Sequence, residues 1–179
     1  MLTGIHILLT YKCTFECDHC FLHSGPHARG TMTLSQVSQV LDEARNCGDV
    51  EWIYFEGGEP SLFYPTLLEG VRLAKTRGFK VGIVSNAYMA TSAEDAELWL
   101  GPLHELGLDH LSISDDSFHH GAEEDNSAKR ALVVAEELGI PTAPICIQKP
   151  YVEAASVSHD DPQCGGIPAA VINCPSGFR

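Results

Sequence analysis

Three cysteines lie within eight residues near the beginning of the sequence: Cys13, Cys17 and Cys20. They follow an apolar stretch, residues 5–9, that has the composition of a buried strand. Thiolates are soft ligands that suit iron–sulfur clusters, zinc or copper(I). The spacing therefore predicts a metal centre directly after the first strand.

Two interpretations of this centre are open from the residues alone. A structural zinc site needs four ligands, and the histidines that could complete a Cys3His set are His19, His23 and His27. A cluster iron in a site with only three protein thiolates would instead keep an open coordination position for a substrate or cofactor. The first arrangement would be structural, whereas the second would be reactive.

A second motif, Gly57-Gly58-Glu59-Pro60, follows the next apolar stretch. Glycine lets a backbone approach a ligand closely, and a carboxylate can accept hydrogen bonds from an ammonium group. Taken alone, such a turn is more often a plain strand–helix connection. Its meaning depends on whether the fold brings it to the cysteines.

The rest of the sequence alternates between short strands and amphipathic helices. Strands are predicted at residues 4–9, 51–55, 80–84, 110–114 and 142–147. From the second strand onward the units are about thirty residues long, which is typical of parallel strands joined by right-handed helical crossovers. We therefore predict an α/β fold, a partial (β/α) TIM-type barrel of about five to six strand–helix units, since a full barrel usually takes about 250 residues.

Polar groups follow four of the predicted strands: first the cysteines, then residues 56–60, then Ser85 and Asn86, and then residues 114–116. The carboxyl ends of parallel strands meet at one rim, where barrel enzymes place their active sites. This convergence favours an enzyme.

The pattern Cys13-x3-Cys17-x2-Cys20 after a first strand, with Gly57-Gly58-Glu59-Pro60 after a second, resembles the signature of the radical S-adenosylmethionine (radical SAM) superfamily. The resemblance covers roughly residues 4–150. It implies that the three thiolates hold a site-differentiated 4Fe-4S cluster whose fourth iron is chelated by the amino and carboxyl groups of SAM. It also implies an oxygen-sensitive enzyme that cleaves SAM reductively to methionine and a 5'-deoxyadenosyl radical, which abstracts hydrogen from a substrate.

The resemblance assigns SAM contacts to the following positions: Gly57, Gly58, Glu59, Pro60, Ser85, Asn86, Ser114 and His19. The order Ser112-Ile113-Ser114 leaves open which serine reaches the ribose. His19 departs from the aromatic residue that the family commonly has near the adenine. An imidazole can also stack, and it can titrate or bind a metal.

Composition and charge limit the partners. A net charge of −13 over 179 residues argues against nonspecific nucleic-acid binding, which needs Lys and Arg facing phosphates. Without a signal-peptide pattern or an apolar stretch of about 20 residues, a cytoplasmic protein is expected. The resemblance implies SAM and an external electron donor of the flavodoxin or ferredoxin type as partners. The substrate is unassigned, with a peptide or a cofactor precursor as the expectation.

The sequence changes character near residue 150. We expect a radical SAM core at residues 1–150 and an irregular C-terminal tail at residues 151–179, which could be a truncated extension and could hold a further strand at residues 169–172. Cys164 and Cys174 in this tail are too few for an auxiliary cluster. Cys146 is expected to pack in the core, and Cys47 to be inert.

Further predictions concern loop residues near the rim. Phe15 and Phe21 are predicted to pack under the cysteine loop. His119 and His120 are predicted to lie in a solvated loop, with contact to the substrate or supply of a proton as the alternative. Two other functions stay open: a noncatalytic iron–sulfur and SAM-binding domain or truncated relative, and a small Cys3His zinc protein.

Overall fold

The computed structural model describes residues 2–116, 118–120 and 125–147, together with the backbone of residues 152–153 and 171–172. The chain divides into two compact units, Met1–Cys146 and Ile147–Arg179. Cys164 and Cys174 lie outside the described residues.

The first unit alternates strictly between strands and helices. In chain order its elements are β1 (Gly4–Thr10), α1 (Leu34–Asn46), β2 (Trp52–Gly57), a 3-10 turn (Pro60–Phe63), α2 (Tyr64–Thr76), β3 (Lys80–Ser85), α3 (Ala93–Glu105), β4 (His110–Ser114), α4 (Ser127–Glu137) and β5 (Thr142–Ile145). The strands form one sheet in the order β1-β2-β3-β4-β5, and every neighbouring pair is parallel. This open sheet confirms the predicted partial barrel.

Side-chain caps start three of the helices. Thr33 and Gln36 form the capping box of α1, while Ser92 begins α3 by accepting from the Asp95 N–H. Asn126 begins α4 by accepting from the Lys129 N–H at 2.8 Å. Each cap satisfies a backbone N–H that has no partner within its helix, and so fixes where the helix leaves the rim.

One face of the sheet carries the hydrophobic core. Alternate strand residues on this face are buried with apolar residues of the helices, for example Leu9, Phe55, Ile83 and Ile113. Because successive side chains of a strand point to opposite faces, the residues between them form the other, less covered face. The helices therefore pack their apolar residues against the face that carries Leu9, Phe55, Ile83 and Ile113.

Strand β5 is shorter than predicted. β5 ends at Ile145, so Cys146 lies beyond it and is exposed, and the prediction that Cys146 packs in the core was wrong. Among the described residues, none of the helices combines the length and apolar character that crossing a membrane requires.

The second unit shows two short strands, β6 (Val152–Glu153) and β7 (Val171–Ile172). They pair antiparallel as a two-stranded sheet of their own. Of the predicted strand at residues 169–172, only the last two residues form a strand, and that strand belongs to the two-stranded sheet.

Candidate active site

The connection between β1 and α1 carries the three cysteines and folds back onto the end of β1. The Cys13 N–H donates to the Gly25 carbonyl at 3.1 Å, the Tyr11 N–H donates to the Gly30 carbonyl at 2.9 Å, and the Thr10 and Thr31 hydroxyls lie 3.0 Å apart. These contacts hold the loop at the carboxyl end of the sheet, where the other predicted site residues are expected.

The cysteine sulfurs receive N–H donors from the loop. The Phe15 N–H points at Cys13 Sγ at 3.5 Å, and the Ser24 N–H points at Cys20 Sγ at 3.4 Å. Cys13 is buried, whereas Cys17 and Cys20 are partly exposed. Backbone donors of this kind stabilise negative charge on sulfur, which metal-bound thiolates carry.

The pKa values of two of the loop thiols are raised. Burial raises the pKa of the Cys13 thiol above its ordinary value. Burial, followed by the neighbouring Cys13 and Cys20 groups, raises the pKa of Cys17 to about 11. A metal centre would therefore have to displace protons from these sulfurs at neutral pH.

Three other potential metal-ligand side chains also lie near the rim. In the described part of the chain, the ligand atoms of His19, Asp116 and His119 all lie within 4.8 Å of one another.

The turn after β2 lies directly against the base of the cysteine loop. The Gly58 N–H donates to the Thr10 carbonyl at 2.7 Å, and the Glu59 N–H donates to the Lys12 carbonyl at 2.8 Å. A Cβ at Gly58 would lie 2.3 Å from the Lys12 carbonyl oxygen, and one at Gly57, whose φ is +132°, would lie 2.4 Å from the Thr10 carbonyl oxygen. Both glycines are therefore required for the two backbones to meet.

Glu59 turns into the protein and is fully buried. Its carboxylate accepts from the backbone N–H groups of Ser61 at 3.0 Å and Asn86 at 2.8 Å, and from the hydroxyls of Ser61 at 2.5 Å and Ser85 at 3.0 Å. Burial raises the pKa of this carboxyl, while the four donors act in the opposite direction. The carboxylate thus joins the end of β2 to the end of β3.

Asn86 continues this network to the cysteines. Its side-chain amide donates to Thr14 Oγ1 at 3.0 Å and to Cys13 Sγ at 3.5 Å, and its side-chain oxygen accepts from the Tyr88 N–H at 3.0 Å. Gly57–Pro60, Ser85, Asn86 and Cys13 therefore form one continuous cluster at the rim, as the parallel topology predicts.

Ser114 ends β4 at the same edge of the sheet. Ser112 lies two residues earlier on the same face, is buried, and has its hydroxyl 3.3 Å from His110 Nδ1. Ser114 is the more exposed of the two serines and the nearer to the rim. The ribose role of Ser114 stays a prediction.

The histidines after β4 pack against residues of the cysteine loop. His19 packs against Phe118 at 4.5 Å between ring centroids, and Phe15 packs edge-on against His119 at 5.6 Å and His120 at 5.7 Å. The prediction of a solvated loop was therefore wrong for His119 and His120. Phe21, predicted to pack under the cysteine loop, is 81% exposed.

The less covered face of the sheet also carries polar and aromatic residues that the sequence analysis missed. His6, Tyr54, Gly82 and His110 stand in one row across β1 to β4. His6 stacks on Tyr54 at 4.8 Å between ring centroids, and its Nδ1 lies 3.0 Å from a Glu56 carboxylate oxygen. In the sequence of β1, β2 and β4 these residues alternate with apolar ones, and this alternation could have predicted that they share the less covered face.

Comparison with known sequences places the chain in a family. The Radical SAM superfamily profile matches residues 7–145. A tungsten-containing aldehyde ferredoxin oxidoreductase cofactor-modifying protein of Pyrococcus furiosus is 32% identical over 113 residues, which are 63% of this chain and 30% of that protein. An S-adenosylmethionine-dependent nucleotide dehydratase of Selenomonas ruminantium is 30% identical over 115 residues, 64% of this chain and 39% of that protein. The chain therefore spans well under half the length of these curated relatives.

Solved structures share the fold. Methylornithine synthase (PylB) superimposes with a TM-score of 0.61 at 13% identity, over 80% of this chain and 44% of that one. The structure of anSMEcpe with bound AdoMet and a peptide superimposes with a TM-score of 0.54 at 20% identity, over 82% of this chain and 43% of that one. The profile match includes both the three cysteines and the Gly57–Pro60 turn. The chain belongs to the radical SAM superfamily.

Proposed function

We propose that this chain is the core of a radical SAM enzyme in which Cys13, Cys17 and Cys20 ligate a site-differentiated 4Fe-4S cluster. The observation that carries the proposal is the backbone pairing of Gly58 and Glu59 with Thr10 and Lys12, which puts the glycine turn at the base of the cysteine loop. With SAM bound at its open iron and an electron supplied, the cluster would provide reductive cleavage to methionine and a 5'-deoxyadenosyl radical.

The cysteine loop fits this group. Cys13 receives donors from the Phe15 N–H and the Asn86 amide, and Cys20 receives one from the Ser24 N–H. These three donors would stabilise the charge that the cluster places on sulfur.

Gly57, Gly58, Glu59 and Pro60 are the proposed contacts of the methionine end of SAM. Because the two glycines have no side chain, the backbone of the turn can lie directly against the cysteine loop. The Glu59 carboxylate is engaged by four protein donors. We propose that it serves SAM binding by holding this turn against β3.

Ser85, Asn86, Ser114 and His19 complete the proposed SAM site. Ser85 and Asn86 are fixed by Glu59, and Asn86 reaches the cysteine loop. Ser114 ends the neighbouring strand, and His19 presents an imidazole beside Phe118. The His19 ring would take the place of the aromatic residue that is common near the adenine.

The substrate is proposed only as a class. A peptide or a cofactor precursor is expected, and the similarity to a cofactor-modifying protein supports the second. An external donor of the flavodoxin or ferredoxin type would supply the electron. Residues 1–150 would form the radical SAM core and residues 151–179 the C-terminal tail.

Anaerobic reconstitution of the full chain with iron and sulfide tests the proposal, followed by SAM and a strong reductant. We expect a bound 4Fe-4S cluster and formation of 5'-deoxyadenosine. C17S should lose both, whereas C47S should keep both, because Cys47 is an exposed residue at the end of α1. Cluster and SAM binding without cleavage would indicate the noncatalytic alternative, and one equivalent of zinc without visible absorption would indicate the zinc protein.

A further inference from the structure

A second group of metal-ligand side chains lies at the rim, and none of its members is a cysteine. The ligand atoms of His19, Asp116 and His119 all lie within 4.8 Å of one another. His119 Nδ1 is 2.8 Å from Asp116 Oδ1, which is close to the separation of two adjacent ligand atoms on one metal ion at about 2.0–2.2 Å from each.

The group is shielded from solvent. The side chains of Asp116 and His119 are 1% and 12% exposed. His19 Nδ1 is buried and has no hydrogen-bond partner in the part of the chain that the structure describes. A buried polar nitrogen without a partner costs free energy, and a bound ion is one of the ways in which proteins satisfy it.

The surrounding contacts hold these side chains in position. The Phe118 N–H donates to Asp116 Oδ1 at 2.9 Å, and the His119 N–H donates to the Asp116 carbonyl at 3.1 Å, so the turn after β4 orients both ligands. Phe15 packs on His119, and Phe118 packs on His19. A site fixed in this way loses little conformational entropy when it binds an ion.

We propose that His19, Asp116 and His119 form a binding site for one divalent transition-metal ion of the zinc or iron(II) type. Two imidazoles and a carboxylate suit such borderline ions, whereas magnesium and calcium prefer oxygen ligands throughout. Three protein ligands leave room in the coordination sphere for water or another small ligand.

The site joins two segments that carry different parts of the rim. His19 lies between Cys17 and Cys20, while Asp116 and His119 follow β4. An ion bound there would fix the cysteine loop to the end of β4. The inference does not depend on the proposed cluster, since none of its three ligands is a cysteine.

Cobalt(II) titration of the full chain carrying C13A, C17A and C20A tests the site. Substitution of the loop cysteines removes the competing thiolates. We expect one cobalt ion per chain with visible d–d bands and without thiolate-to-cobalt charge transfer. D116N and H119N, each added to this background, should weaken binding by at least about tenfold, since loss of even an outer-shell partner of a metal ligand costs 10–100-fold.

Two further substitutions serve as matched controls. H27N and H23N each remove an exposed histidine of the same loop, and neither histidine is in the trio. Both should leave cobalt affinity unchanged. Equal affinity in D116N, H119N and the parent chain would overturn the proposal, as would absence of cobalt binding in a parent chain whose far-ultraviolet circular dichroism is native.

If the cysteine-substituted chain does not fold, iron counting in the reconstituted wild-type chain replaces the titration. The wild-type chain should then hold about one more iron per chain than H119N at equal sulfide content. Equal iron in the two chains would contradict the site, whatever the outcome for the cluster.

Discussion

The side-chain amide of Asn86 lies 3.5 Å from the sulfur of Cys13, 73 residues away along the chain. The backbone N–H of the same residue donates to Glu59 at 2.8 Å. Asn86 therefore connects the turn after β2, the end of β3 and the cysteine loop. These are the three segments that the proposed function requires to act together.

N86A tests whether the side-chain amide of Asn86 affects the reduction potential of the cluster through its contact with the Cys13 sulfur. An N–H donor to a cluster thiolate stabilises the reduced, more negative state. Its loss should make the reduction potential of the reconstituted cluster more negative by roughly 50 mV, a fraction of the free energy of a hydrogen bond to a charged group. A redox titration followed by electron paramagnetic resonance measures this shift.

T14V is the control for that titration. It removes the hydroxyl that Asn86 also contacts, at 3.0 Å, and leaves the amide-to-sulfur contact in place. Its reduction potential should match that of the wild-type chain. Equal potentials in wild type and N86A would refute the assigned role of the amide.

E59Q should destabilise the chain without any cofactor. The two Glu59 oxygens accept from two separate backbone N–H groups, those of Ser61 and Asn86. Whichever way a glutamine amide is turned, its NH2 group faces one of these donors. A buried N–H that loses its acceptor costs about 1–3 kcal/mol, which a denaturant titration would detect.

The matched substitution is E69Q on α2. Glu69 pairs with Arg72 on the surface, with side chains 35% and 49% exposed. Removing an exposed pair of this kind should change the free energy of unfolding by less than about 1 kcal/mol. A loss in E59Q no larger than that in E69Q would mean that the buried network contributes little.

The sequence predicted the fold and the common rim because both depend on local patterns. Alternation of apolar residues, helix caps and unit length determine a parallel sheet, and parallel strands end at one edge. Strand boundaries were less accurate. β1 and β3 extend one residue beyond their predictions, while β5 stops at Ile145 and leaves Cys146 exposed.

The remaining parts of the site depend on the path of loops. The packing of Phe15 and His19 against residues 118–120 joins two loops that no periodic pattern relates. Likewise, the glutamate of a glycine-rich turn gives no local sign that it will be buried, as Glu59 is. Such contacts are decided by tertiary structure and not by propensity.

G58A tests the close approach of the two motifs. The new methyl group would lie 2.3 Å from the Lys12 carbonyl oxygen, and since that neighbour is backbone, the turn and the cysteine loop must separate. We expect a loss of stability of about 1–3 kcal/mol or more and loss of cluster incorporation. Thermal unfolding and iron content after reconstitution measure the two effects.

G4A controls for the general effect of replacing glycine by alanine. Gly4 begins β1, and a Cβ there would lie 3.5 Å from Trp52 Cβ, an ordinary van der Waals contact. Glycine weakens a strand relative to a residue with a side chain. This variant should therefore be as stable as the wild type or more so, with full cluster incorporation. Behaviour of G58A like that of G4A would show that the close approach is dispensable.

The last prediction concerns the less covered face of the sheet. Tyr54 lies across Gly82, and a Cβ on Gly82 would be only 2.2 Å from the tyrosine Cε1. G82A should therefore push the Tyr54 ring away from its place between His6 and His110, at a cost of about 1–3 kcal/mol for overpacking.

A double-mutant cycle isolates this contact. In a Y54A background the same G82A change has no ring to displace, and alanine is otherwise better than glycine within a strand. We expect G82A to be neutral or slightly stabilising there, which gives a coupling free energy of about 1–3 kcal/mol. If G82A lowered the free energy of unfolding equally in both backgrounds, the Tyr54 ring would not be the source of the strain. A large coupling would show that the missing side chain at position 82 is what allows the Tyr54 ring to lie over the neighbouring strand on the less covered face of the sheet.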